Sequence, residues 1–155
     1  MTVIGIDPGA KQSGLVLWNP DSKTVMYKLI GDNESIIGCI REAPPKSIVA
    51  IEQLRGYGLR VGNDTFDSIF WSGRFAQAAK SAGMPFYMLP RADICNHLTD
   101  NQKCGDKGIR DALIDRYGEQ GTKKEPGRLY GIKSHMWAAL AVAVVAGETE
   151  GTLCP

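Results

Sequence analysis

Between Ser47 and Glu52 lie Ile48, Val49, Ala50 and Ile51, a run with no polar residue, and Pro44-Pro45 stands just before it. A strand exposed on one face alternates apolar and polar residues, whereas a strand that is apolar throughout needs cover on both faces. The segment 47–52 therefore predicts a central strand in a sheet sandwiched between helices. The rest of the chain has to supply the neighbouring strands and both helical layers.

It does so in a readable order. Val3 to Asp7 and Gly14 to Trp18 are short apolar segments around a turn-rich connection, Pro8 to Ser13, and predict an antiparallel hairpin. Thr24, Val25, Tyr27 and Ile30 favour a third strand over 24–30, after a turn at Asn19-Pro20-Asp21-Ser22. Asn33 is placed to cap a helix to about Arg41, which Pro44-Pro45 ends. Asp64 or Thr65 starts a helix that runs to about Ala82 and stops at Gly83, and Pro85 to Leu89 is the next strand. Strand, helix and strand in that order predict a parallel pair. Two helices follow between Ala92 and Tyr117, broken near Lys103-Cys104-Gly105, then a loop over 118–131 and a last helix from Ser134 to about Ala146. Residues 147–155 are expected to fray. The predicted class is α/β in a single domain, 1–155: a mixed five-stranded sheet, a three-strand antiparallel meander plus parallel strands, with helices on both faces.

Composition sets limits on function. The chain of 155 residues is 43% hydrophobic and 23% charged, ordinary globular values. Its longest apolar run, Met136 to Ala146, has 11 residues, too short to span a bilayer and suited to a buried helix. A net charge of +1 excludes a strongly basic nucleic-acid coat but not a local basic face. The N-terminus has no positively charged leader, so a cytoplasmic protein is expected. Cys39, Cys95, Cys104 and Cys154 include no C-x-x-C pair, and free thiols without a zinc site are expected.

Asp7 closes the first apolar strand and Glu52 the central one. If those strands are neighbours, both carboxylates stand at one rim of the sheet. Oxygen ligands suit Mg²⁺, and two such ions about 3.5–4 Å apart stabilise the attacking and leaving oxygens of phosphoryl transfer. Taken one at a time, each acid reads equally as a polar strand end facing water.

Four further segments carry a resemblance. Ile4-Gly5-Ile6-Asp7-Pro8-Gly9, then Ser13-Gly14-Leu15, then Ile51-Glu52-Gln53, and finally His135 with Ala138-Ala139-Leu140-Ala141 together resemble the RuvC-type Holliday junction resolvases of the ribonuclease H-like superfamily. The likeness extends over residues 3–146, and the compact length is similar to bacteriophage-encoded relatives. It implies a ribonuclease H-like fold and a homodimeric endonuclease of DNA recombination and repair. Such an enzyme uses Mg²⁺, or Mn²⁺ in its place, with two ions, and resolves four-way or branched DNA by paired nicks. By the same resemblance Asp7, Glu52 and His135 are the metal-binding and catalytic residues. The family places an Asp three residues after His135, on the same helix face; here that residue is Ala138, whose methyl group binds no metal. Asp111 and Asp106 are the candidates to replace it. His97 has no such motif and is expected to be structural.

Contacts to DNA are sought among basic residues. From Lys103 to Lys133 eight basic residues face five acids, and Lys107, Arg110, Lys123, Lys124 and Lys133 are candidates for phosphate binding. The same segment reads equally as a solvated helix with pairs such as Asp106 and Arg110. Arg55, Tyr57 and Arg60 follow Glu52 closely enough to flank the site, with Tyr57 available to stack on a base. Phe66, Ile69, Phe70, Trp71 and Phe75 on the 64–82 helix fit a core, or a dimer contact if exposed. Two rival functions remain: a junction-binding protein that has lost catalysis at Ala138, and an actin-like ATPase, which needs a second lobe that 155 residues do not provide.

Overall fold

The computed structural model describes residues 1–150. The chain runs β1 (Val3–Asp7), β2 (Gln12–Asn19), β3 (Thr24–Asp32), α1 (Asn33–Arg41), β4 (Ile48–Gln53), α2 (Asn63–Ser81), β5 (Phe86–Pro90), α3 (Arg91–Thr99), α4 (Gly105–Tyr117) and α5 (Met136–Thr149). The strands form one sheet in the order β3-β2-β1-β4-β5. The β1/β2 and β2/β3 pairs are antiparallel, and β1/β4 and β4/β5 are parallel. This is the mixed sheet expected, with the apolar β4 between two neighbours.

Alternation along the strands divides the core into two layers. Ile4, Ile6, Leu15, Val49 and Ile51 pack with Ile36, Ile40 and Phe75 of α1 and α2. Val3, Val16, Trp18 and Ala50 pack on the other side with α3, α4 and α5. Both faces of β4 are thus covered, as its composition demands. Fully burying each such Val, Ile or Phe contributes about 1.5–3 kcal/mol before entropy is counted.

Helix α5 is the innermost helix. Every residue from Ala139 to Ala146 is buried, because the sheet covers one side of α5 while α3 and α4 cover another. Its approach to the sheet is close: a Cβ on Gly5 would stand 2.0 Å from the Ala139 carbonyl oxygen and 2.7 Å from the Ala143 Cβ. At the other end of α5, Glu148 accepts hydrogen bonds from Arg116 and lies 2.7 Å from His97 Nε2, joining the three helices. His97 thus ties α3 to the end of α5. No helix among the described residues is long and apolar enough to cross a membrane.

Three expectations are corrected. Asp32 rather than Asn33 caps α1, accepting from the Ser35 backbone N–H, because Asn33 is buried and engaged elsewhere. Cys95 and Cys104 are joined in a disulfide and not free, since the α3–α4 turn brings their Cα atoms to 5.6 Å, inside the range a disulfide spans. Cys39 is free, and Cys154 lies outside the described residues. Residues 147–149 continue α5 instead of fraying, held by the Glu148 contacts; 151–155 lie outside the described residues. On α2, Phe75 is core, but Phe66, Ile69 and Phe70 are exposed.

Candidate functional site

In the parallel β1/β4 pair Ile6 stands opposite Ile51, so the next residues, Asp7 and Glu52, fall side by side at one rim. A buried polar cluster shapes the turn after Asp7. Ser13 Oγ donates to Asn33 Oδ1 at 2.6 Å and accepts from the Gly9 N–H, while Asn33 Nδ2 donates to the Gly9 carbonyl. These bonds satisfy polar groups that would otherwise be costly to bury.

His135 reaches the rim from the other end of the sequence. It caps α5 immediately after Ser134, which has φ of 46° in the left-handed region. Gly14 makes room for it: a Cβ there would meet the His135 carbonyl oxygen at 2.6 Å. His135 Nδ1 lies 2.8 Å from Asp7 Oδ2. With Asp7 ionised, Nδ1 is the donor in this hydrogen bond.

A fourth residue joins the site from the end of a different strand. Arg91 begins α3 directly after β5, the strand beside β4, and its Nη1 donates to Glu52 Oε1 at 3.3 Å. Its Nη2 donates to Asp106 near the start of α4. Burial raises the Asp7 carboxyl above the ordinary range, opposed by the His135 hydrogen bond and charge and by Arg91. Burial likewise raises Glu52, reinforced by the negative charge of Asp7 and opposed by Arg91.

Asp7, Arg91 and His135 line a cleft of about 590 Å³ together with Asp106, Lys107 and Arg110, whereas Glu52 is buried beside Arg91 and does not line it. Ser134, Trp137 and Ala138 complete the side formed by the start of α5, and Arg110 lies over the Trp137 ring at 5.2 Å. The remaining candidates lie elsewhere. Asp111 pairs with Lys107 and lines a separate depression with Leu98 and Asp115. Arg55 folds back onto Gln53, and Arg55, Tyr57 and Arg60 are exposed without lining the cleft. Lys123, Lys124 and Lys133 are exposed outside it too.

The donor set does not fit a two-ion centre. Among the described residues, no three or more His, Cys, Asp and Glu side chains converge in a way that would hold a metal ion. Asp7 is turned to His135 and Glu52 to Arg91, and at position 138 there is a methyl group.

No family model and no curated protein matches the sequence. Solved structures do match. A Thermus thermophilus RuvC structure superposes with a TM-score of 0.75 at 21% identity, over 97% of this chain and 96% of that one. The chain has the ribonuclease H-like fold of RuvC. A second structure, T. thermophilus RuvC in complex with a Holliday junction substrate, gives a TM-score of 0.69 at 21% identity, over 99% of this chain and 96% of that one.

Within the RuvC fold, the sequence pattern singles out Asp7 at the end of β1 and Glu52 near the end of β4 but not Arg91 or Trp137. A signal for Arg91 existed. It is the first residue beyond β5, two positions past Leu89, which stands opposite Glu52, so a long side chain there can reach back to that carboxylate. Trp137 was hidden inside an apolar run that reads as pure core.

Proposed function

We propose that this chain binds branched, four-way DNA junctions across the cleft and that, with alanine at position 138, it nicks them slowly or not at all. The observation that carries this reading is the composition of the cleft. Arg91, Lys107 and Arg110 line the cleft with Asp7, where a phosphodiester can be held, but the residue one turn from His135 has no ligand atom. The likeness in fold to a RuvC solved with junction substrate supports the choice of branched DNA. In any residual cleavage, His135 is the proton acceptor: Asp7 orients it through Nδ1, leaving Nε2 for a water attacking in line. A second reading, a fully active Mg²⁺-dependent endonuclease, rests on Asp106, which lines the cleft as Asp111 does not.

Binding at phosphates predicts a steep fall of junction affinity with salt, because each neutralised phosphate releases counterions. Replacing both Lys107 and Arg110 by Ala should weaken binding and reduce the log–log salt slope by about 1.8, roughly 0.9 per contact. Fluorescence anisotropy with a labelled synthetic junction measures this. An unchanged slope would transfer the DNA surface to the Arg55–Arg60 loop.

A junction presents two equivalent strands, which a two-fold dimer would match. The contact we propose is the α2 face bearing Phe66, Ile69 and Phe70, which are 58%, 46% and 63% exposed and spaced to share one side of the helix. Light scattering should give twice the 16.8 kDa chain mass, and Phe70→Asp should return it to one. A parent protein that stays a single chain with and without junction DNA would exclude the dimer.

A further inference from the structure

Carboxylates at a phosphate-binding cleft repel the ligand unless a cation stands between them. Here a cation is already supplied by the chain. The Arg91 guanidinium bridges Glu52, on the central strand, and Asp106, on α4, at the wall of the cleft. Glu52 is buried and Asp106 is almost fully exposed, so the guanidinium spans from the interior of the rim to its open edge. Arginine has five N–H donors in a rigid fork, and these two bonds use two of them. The other donors remain available to oxygen atoms of a ligand. An ammonium group on a flexible stem would not bridge two acids with this geometry.

We propose that Arg91 is the resident cation of this cleft, taking the charge-neutralising place at Glu52 and Asp106 and holding a DNA phosphodiester without a divalent ion. Two features agree with it. Asp7 is engaged by His135 and Glu52 by Arg91, no group of three or more His, Cys, Asp and Glu side chains among the described residues is placed to hold a metal ion, and Asp106, the other acid lining the cleft, is paired with Arg91. The inference rests on the junction-binding reading above for its ligand, but not for its charge.

The experiment has two arms, both on the full-length chain. In the first, Mn²⁺ is titrated without DNA and followed by electron paramagnetic resonance. The parent should bind Mn²⁺ at least about tenfold more weakly than Arg91→Gln, because the variant frees Glu52 and Asp106. Tight parental binding, or equal binding by both proteins, overturns the proposal. In the second arm, a synthetic four-way junction is bound in EDTA and in Mg²⁺. The parent should bind within about twofold in the two buffers, while Arg91→Gln should lose at least about tenfold in EDTA and regain affinity with Mg²⁺. A parent that needs Mg²⁺ to bind refutes it, and this comparison requires no variant. Failure to bind junctions in either buffer would reject the junction reading, while the Mn²⁺ arm would still decide the role of Arg91. Circular dichroism of Arg91→Gln guards against a folding defect.

Discussion

Replacing Ala138 by Asp is expected to raise Mg²⁺-dependent nicking of a synthetic four-way junction at least about tenfold, equivalent to roughly 1.4 kcal/mol of barrier. Position 138 and His135 are one helical turn apart and both line the cleft, so a carboxylate at 138 enters beside Asp7. Ala138 is only half-buried, so the added oxygen atoms keep access to water and need no buried partner. In the Ala138→Asp background, a further Asp7→Asn change should abolish the gained nicking and leave junction affinity nearly intact. Asn preserves the shape of Asp7 but removes its charge. The competing account gives the missing role to Asp106 or Asp111. Under it the parent nicks well, Ala138→Asp adds little, and Asp106→Asn or Asp111→Asn removes activity; that pattern would refute the missing-ligand explanation.

The second large effect concerns stability. Gly5→Ala should destabilise the fold by about 3 kcal/mol or more, at the upper end of the range for overpacked cores. The new methyl carbon would stand 2.0 Å from the Ala139 carbonyl oxygen, and that atom belongs to the backbone of a buried helix, so no side-chain rotation relieves the clash. Helix α5 must then withdraw from β1. For a chain of this size the melting temperature should fall by roughly 6–12 °C, read by circular dichroism. Because His135 precedes Ala139 by one turn, the same displacement should weaken the Asp7–His135 contact and junction affinity with it. A melting temperature unchanged within about 2 °C would show that α5 tolerates the shift, contrary to the packing described.

The sheet was legible because its signals were local. The apolar run 48–51 states its own burial on two faces, and the acids that close β1 and β4 coincide with strand ends that the structure places side by side. The second half of the site was less legible. His135 and the gap at Ala138 were found only through motif resemblance, since a lone His at a helix start has many uses. Arg91 escaped because its role depends on which strand β5 joins, a fact of tertiary order. The cysteines misled in a similar way. Spacing excluded a C-x-x-C pair, but the meeting of Cys95 with Cys104 follows from the turn between α3 and α4, which composition does not record. On α2, Phe66, Ile69 and Phe70 have the same chemistry as Phe75, and only the position of the helix over the sheet separates exposed from buried.

Asp7 and His135 touch across 128 residues of sequence. Closing so long a loop carries an entropic cost that only the surrounding packing repays, and β1 likewise finds β4 only after α1 has crossed over. The hairpin of β1 and β2 can form early from neighbours in the chain, but it brings only one carboxylate to the rim. Glu52 arrives with β4, Arg91 with β5, and His135 last in order of synthesis, with α5. A partly folded chain therefore has acids at the rim but lacks the side of the cleft that Ser134, His135, Trp137 and Ala138 supply once α5 has docked. Completion of the cleft and completion of the fold are, in this molecule, the same step.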